Sequence, residues 1–241
     1  MKKVVLSLGG SVLIPSLESN NISRYVPVLA EIARHMQLFI VVGGGGEARR
    51  YIEVARSLGI DEGTCDETGI RITRLNAALL VGALGSLAYP AVAEDQTSAM
   101  EFAESGKIVV MGGVTPAQTT DAVSAVLAER VRADLLINAT SIDGIYSADP
   151  KKDRNAVRYS TITPSRLLEI VSGDTLGAGS NTVMDMVAVK VVCRSSIPLV
   201  VLDGRDPAHL SAALLSGSFT GTIVSETGKN PFPLGDTAPK R

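Results

Sequence analysis

Four consecutive glycines, Gly43, Gly44, Gly45 and Gly46, follow the apolar run LFIVV and precede a segment of helical period that opens near Glu47. Glycine lets the backbone pass close to a phosphate with its N–H groups turned outward, and a helix N-terminus favours negative charge at the same place. One glycine would serve a tight strand-to-helix turn; four in a row point to an anion site. Gly9, Gly10 and Ser11 make a second small-residue loop after the first apolar run, and Gly112 with Gly113 closes a third run. Thr119 or Thr120 then suits a helix N-cap, and Asp121 falls in the first helical turn, where an acid complements the dipole. Capping does not account for the loop before it, 114–119. That loop offers hydroxyls, an amide and free backbone groups able to read the face of a small planar molecule.

Other phosphate motifs fit less well. Gly43, Gly45 and Ala48 formally satisfy G-x-G-x-x-A, the dinucleotide fingerprint. That fingerprint belongs in the first βα turn, which GGS occupies here, whereas this match follows the second apolar run. No G-x-x-x-x-G-K-[ST] occurs, which excludes an ordinary P-loop kinase. Cys65, Cys193, His35 and His209 are scattered, so no zinc spacing appears and no metal-ligating set is expected from the chain. The cysteines read as reduced thiols of a cytosolic protein.

The elements that must position these residues alternate. Short β-branched runs at 4–8, 38–42, 108–111, 135–138 and 199–202 read as buried strands of a parallel sheet covered on both faces. Between them, helical periodicity covers 22–35, 47–57, 71–84, 120–131, 166–171, 184–194 and 208–215. The expected fold is α/β, a three-layer αβα sandwich around a mostly parallel central sheet. Ligands of such sheets sit beyond the carboxyl ends of the strands, which is where the glycine loops fall. The chain reads as one domain over 1–226, with lobes of about 1–133 and 134–226, and a loose tail at 227–241.

Composition narrows the function. At 241 residues, 45% hydrophobic and 20% charged, the chain can build one large domain. A net charge of -2 leaves no electrostatic footprint for a nucleic-acid polymer, and 4% aromatic residues without Trp make a poor stacking platform. Any phosphate must therefore be held by local geometry. The opening MKKVVLSLGG is broken by glycines with no cleavage signature, and no apolar run approaches the roughly 20 residues of a membrane span. A cytoplasmic protein is expected, with no membrane partner.

The runs GGS, VVGGGGEARRY, DETGIRITRLNA, VMGGVTPAQTTDAV and ATSIDGIYSADPKKD stand in the order found in uridylate kinases, and the chain resembles the archaeal type of that branch of the amino-acid kinase family. The resemblance spans 4–225, and TTDA with T-x-x-D-G-[IV]-Y-x-A-D-P is its most specific part. It implies an eight-stranded, mostly parallel sheet, with the phosphate acceptor on the N-terminal lobe and ATP on the C-terminal lobe. It also implies transfer of the ATP γ-phosphoryl group to UMP in pyrimidine biosynthesis, and a homo-oligomer, commonly a hexamer. ATP and UMP together carry about six negative charges, so Mg²⁺ is expected with the ATP.

Residue by residue, the resemblance implies that Ser7, Leu8, Gly9, Gly10, Ser11 and Gly45 line the path of the transferring phosphate. Arg49 would meet the ATP phosphates, and Thr140, Ser141, Tyr146 and Asp149 would form the adenine and ribose pocket. Gly44 would contact UMP and Asp66 would accept from its ribose. Val114, Thr115, Pro116, Ala117, Gln118, Thr119 and Thr120 would surround the uracil and its phosphate. Asp121 matches an aspartate that organises the transfer site, so Arg49, Asp121 and Gly10 are expected to act on the migrating group. Three departures stand out: Ser7 replaces a lysine of bacterial members, Ser141 replaces a common Asn, and Glu47 directly follows the glycines.

Overall fold

The structure, a computed structural model, describes residues 1–150, 153–174 and 184–234. Strands β1 (Lys3–Leu8), β2 (Gln37–Val42), β3 (Val109–Met111), β4 (Leu135–Thr140), β5 (Thr161–Ile162), β6 (Leu199–Asp203) and β7 (Gly221–Val224) join in the order β3-β2-β1-β4-β6-β7-β5. All pairings are parallel except β6 with β7. The helices are α1 (Gly10–Leu13), α2 (Ile22–Ala33), α3 (Gly45–Ser57), α4 (Glu62–Leu84), α5 (Gln96–Ala103), α6 (Thr120–Val131), α7 (Pro164–Asp174), α8 (Met186–Ser195) and α9 (Pro207–Ser211).

The β1 sequence KVVLSL shows why both faces are covered. Side chains alternate across a strand, so Val4, Leu6 and Leu8 enter one core with Tyr25, Leu29 and Ile32 of α2 and Leu80 of α4. Val5 enters the opposite core with Val123 and Leu127 of α6 and Val189 and Val192 of α8. Two apolar cores on one central sheet make the three-layer αβα sandwich. The seam between β1 and β4 joins the strands contributed by 1–133 to those contributed by 134–226.

Several details differ from the sequence reading. Seven strands are present among the described residues, where the resemblance implied eight. Helix α4 begins at Glu62 rather than 71, because Asp61 caps it by accepting from the Thr64 amide. The α5 helix was not expected; a capping box of Asp95 with Ser98 starts it. α4 is also the one helix among the described residues long and apolar enough to cross a membrane. Its apolarity serves the domain in part, since Cys65, Ala77, Leu80 and Leu84 are buried. The tail expected to be loose from 227 is held as far as 234. Phe232 is buried against the core and meets Phe219 edge-on at 5.0 Å, and the Leu234 amide donates to Leu214.

Candidate active site

Because β1, β2, β3, β4 and β6 run parallel, their carboxyl ends open on one edge of the sheet. The two glycine loops meet there backbone to backbone. A Cβ built on Gly10 would lie 2.0 Å from the Gly45 nitrogen, and Gly45 itself is left-handed at φ +67°. Part of the glycine content is thus required by the loops' own contact, independently of any ligand. The Gly9 amide donates to the Ala139 carbonyl at 3.0 Å, and the Gly43 amide to Leu8 at 3.0 Å. Gly9, expected along the phosphate path, therefore spends its own amide on the sheet. Gly10 and Ser11 open α1, and Gly45 and Gly46 open α3, where first-turn amides have no intrahelical acceptor.

Helix α4 holds the loops from below. The Asn76 side-chain nitrogen donates to both Gly43 O (3.0 Å) and Gly44 O (3.1 Å). Thr73 Oγ1 accepts from the Gly113 amide at 2.6 Å, while Arg74 Nε donates to Gly113 O at 3.1 Å. Nearer the start of the helix, Asp66 Oδ2 accepts from the Ala117 amide at 2.7 Å, fixing the exposed 114–119 loop with Ala117 at φ +62°. Expected as a ribose acceptor, Asp66 is therefore also the anchor of the loop that would surround the base. On α3, Glu47 pairs with Arg50 at 3.2 Å in the first turn, which gives that acid a partner and a favourable place on the dipole. Arg49 stands exposed one turn into the helix.

At the seam an acidic cluster forms. Ser7 Oγ donates to Asp121 Oδ1 at 2.8 Å, and Asn138, the β4 neighbour of Ser7, bonds the same carboxyl. Burial pushes Asp121 up to about 6; the Ser7 bond opposes this, the charge of Asp185 adds to it, and Asn138 opposes it again. Asp185 caps α8 by accepting from the Val187 and Ala188 amides, and it also accepts from Thr119 Oγ1. Ser7, Thr119 and Asp121 are thereby brought together, and Thr120 opens α6 beside them.

Residues 2–203 match the amino acid kinase family. The chain belongs to the amino acid kinase family. A uridylate kinase of Methanoculleus marisnigri is 65% identical over 233 residues, covering 97% of this chain and 100% of that one. That of Methanospirillum hungatei is 59% identical over 97% of this chain and 99% of its own. The crystal structure of uridylate kinase from Archaeoglobus fulgidus superposes with a TM-score of 0.83 at 45% identity, covering 93% of this chain and 100% of that one.

In this amino acid kinase family member the β4 side of the rim carries the remaining expected residues. Thr140 ends β4, its carbonyl accepting from Gly204 at 2.8 Å, and Ser141 is exposed beyond it. Tyr146 is half-buried and donates to Asp143 Oδ1 at 2.8 Å, a bond that raises the phenol's pKa. Arg158 holds the other oxygen of Asp143 at 2.8 Å. Asp149 accepts through its carbonyl from the Asp153 amide, and Lys151 and Lys152 of the same motif lie outside the described residues. Sequence reasoning assigned no role to Thr73, Arg74, Asn76, Asn138, Asp143 or Asp185. Four of these lie inside quoted motifs, and Asp185 carried the signal of an Asp just ahead of a helical run.

Proposed function

We propose that this chain transfers the γ-phosphoryl group of ATP to UMP, reversibly, giving UDP and ADP by direct in-line displacement. The observation that carries this is the full-length likeness, 65% identity over 97% of the chain, to a protein called a uridylate kinase, with the rim that such a transfer needs present in the fold. UMP lies on the β2–β3 side, with Gly44, Asp66 and 114–120 around it. ATP lies on the β4–β6 side, with Thr140, Ser141, Tyr146 and Asp149 at its base and ribose. The two nucleotides meet over Gly10 and the Gly44–Gly45 peptide.

The chemistry asked of the protein is positioning and charge compensation. The UMP phosphate is largely ionised at neutral pH, since such groups have a second pKa of about 6, so no general base is needed. The amides of Gly10, Gly44 and Gly45 stabilise charge on the migrating group, and Arg49 balances it from α3. Asp121 and Asp185, close enough for the charge of one to act on the other, would hold Mg²⁺ carried in by phosphates through their hard carboxylate oxygens. The ion, when bound, neutralises phosphate charge. No third carboxylate, His or Cys joins them among the described residues. The reading places the enzyme in the cytoplasm as a homo-oligomer.

The test is a panel of UMP, CMP, dUMP, AMP and GMP with Mg-ATP, following ADP release. UMP should give the highest kcat/KM. Release no faster with UMP than with no acceptor at all would overturn the assignment.

A further inference from the structure

Asn76 of α4 is buried, 3% exposed, and its single amide nitrogen meets two consecutive carbonyls. Both facing groups are acceptors, so only the NH₂ side of the amide can lie against them. In a trans peptide the N–H points opposite to the C=O of the same unit. Holding Gly43 O and Gly44 O towards α4 therefore turns the amides of Gly44 and Gly45 away from it. Glycine has little intrinsic preference between these orientations. The Gly44 carbonyl also accepts from the Ala48 amide at 3.3 Å as α3 begins, so Asn76 reinforces that plane and adds a donor to the Gly43 plane before it.

We propose that Asn76 is a positioning residue for phosphoryl transfer: it orients the Gly44 and Gly45 amides that receive the migrating group. It touches neither nucleotide and acts through the peptide planes. This rests on the kinase reading above. A purely structural Asn would affect stability and leave the rate of the folded enzyme alone; a positioning Asn affects kcat. Because Thr140, Ser141, Tyr146 and Asp149, read as the ATP base and ribose pocket, lie on the β4 side away from Asn76, KM for ATP should respond little.

The experiment uses the full chain and the substitutions Asn76→Ala and Asn76→Ser, the second retaining one donor in a smaller volume. With folding confirmed by thermal melting, kcat should fall roughly 100-fold in Asn76→Ala, the scale expected of a misplaced catalytic group, and less in Asn76→Ser. KM for ATP should stay within about twofold. A folded variant with kcat near wild type overturns the proposal. In parallel, ¹⁵N-labelled wild-type protein is titrated with Mg-ADP, which needs no variant to fold. The Gly44 and Gly45 amide resonances should move, and both Asn76 side-chain protons should be slow to exchange. Unmoved glycine resonances, or freely exchanging Asn76 protons, overturn it as well. Wild-type protein inactive on UMP removes the parent reading, whereas active wild type with active variants removes this one alone.

Discussion

Asp121 carries a buried carboxyl bonded to Ser7 of β1. Its carboxyl, raised to about 6 in the fold, would titrate near 3.9 in an unfolded chain. Between those values the native state binds more protons than the unfolded one, so this group's contribution to stability falls as pH rises from about 4 to 6 and stays lost above. The difference is worth at most about 3 kcal/mol. Asp121→Asn, a neutral isostere that can still accept from Ser7, should therefore melt several degrees higher than wild type at pH 8 and much closer to it at pH 4.5. Its activity should fall on the order of 100-fold. Melting curves in EDTA at the two pH values check the first point, and a gap that does not grow with pH contradicts it. Arg49 is the opposite case, exposed and unburdened by packing. Arg49→Ala should leave stability within about 0.5 kcal/mol while lowering kcat at least tenfold, and unchanged turnover would remove it from the transfer site.

At the scale of elements, the glycine loops and α4 form one assembly. Gly10→Ala would drive a methyl into the Gly45 backbone, and neither partner is a flexible side chain that can yield. A cost of about 1–3 kcal/mol in urea unfolding, with kcat lost, is expected; wild-type stability would show that the loops do not touch. Asp66→Asn keeps an acceptor for the Ala117 amide and loses its charge, so the loop stays anchored more weakly. KM for UMP should rise about tenfold with KM for ATP nearly unchanged, and equal losses would contradict the placement of the two nucleotides. These contacts also show what a sequence can reveal. Strands β1, β2, β4 and β6 were legible because buried parallel strands are unbroken β-branched runs. β7, four residues long and antiparallel, and β5, two residues long, leave too little periodicity to see. The first two turns of α4 were hidden by Gly63, Thr64, Thr68 and Gly69, poor helix formers that a single Asp61 cap offsets. Asn76 was invisible as a functional residue because its bonds reach back 33 and 32 residues, which no local pattern encodes.

The whole molecule places opposite demands on the two sides of α4. Thr73, Asn76 and Leu80 are buried on the inner side, where Thr73 and Asn76 bond the glycine loops, whereas Leu75 is 61% and Leu79 50% exposed on the outer side. On α3, which packs alongside α4, Tyr51 and Val54 are exposed as well, with Leu58 just past its end. Each square ångström of such surface left in water costs roughly 25 cal/mol, and contiguous apolar patches commonly mark where proteins associate. The homo-oligomer implied by the resemblance needs a self-complementary surface, and the outer face of α4 is one apolar stretch among the described residues that could provide it. Sedimentation of the wild-type chain should then give a multiple of 25.2 kDa. Leu79→Glu puts a charge on that face without touching the core, and should shift the mass towards that of a single chain. Dissociation would leave Asn76 and Thr73 in place, so any loss of kcat in the dissociated protein would measure how far packing on the outer side stiffens the helix that sets the loops. Wild-type protein sedimenting as one chain would remove the oligomer, and an assembly indifferent to Leu79→Glu would move its interface off α4.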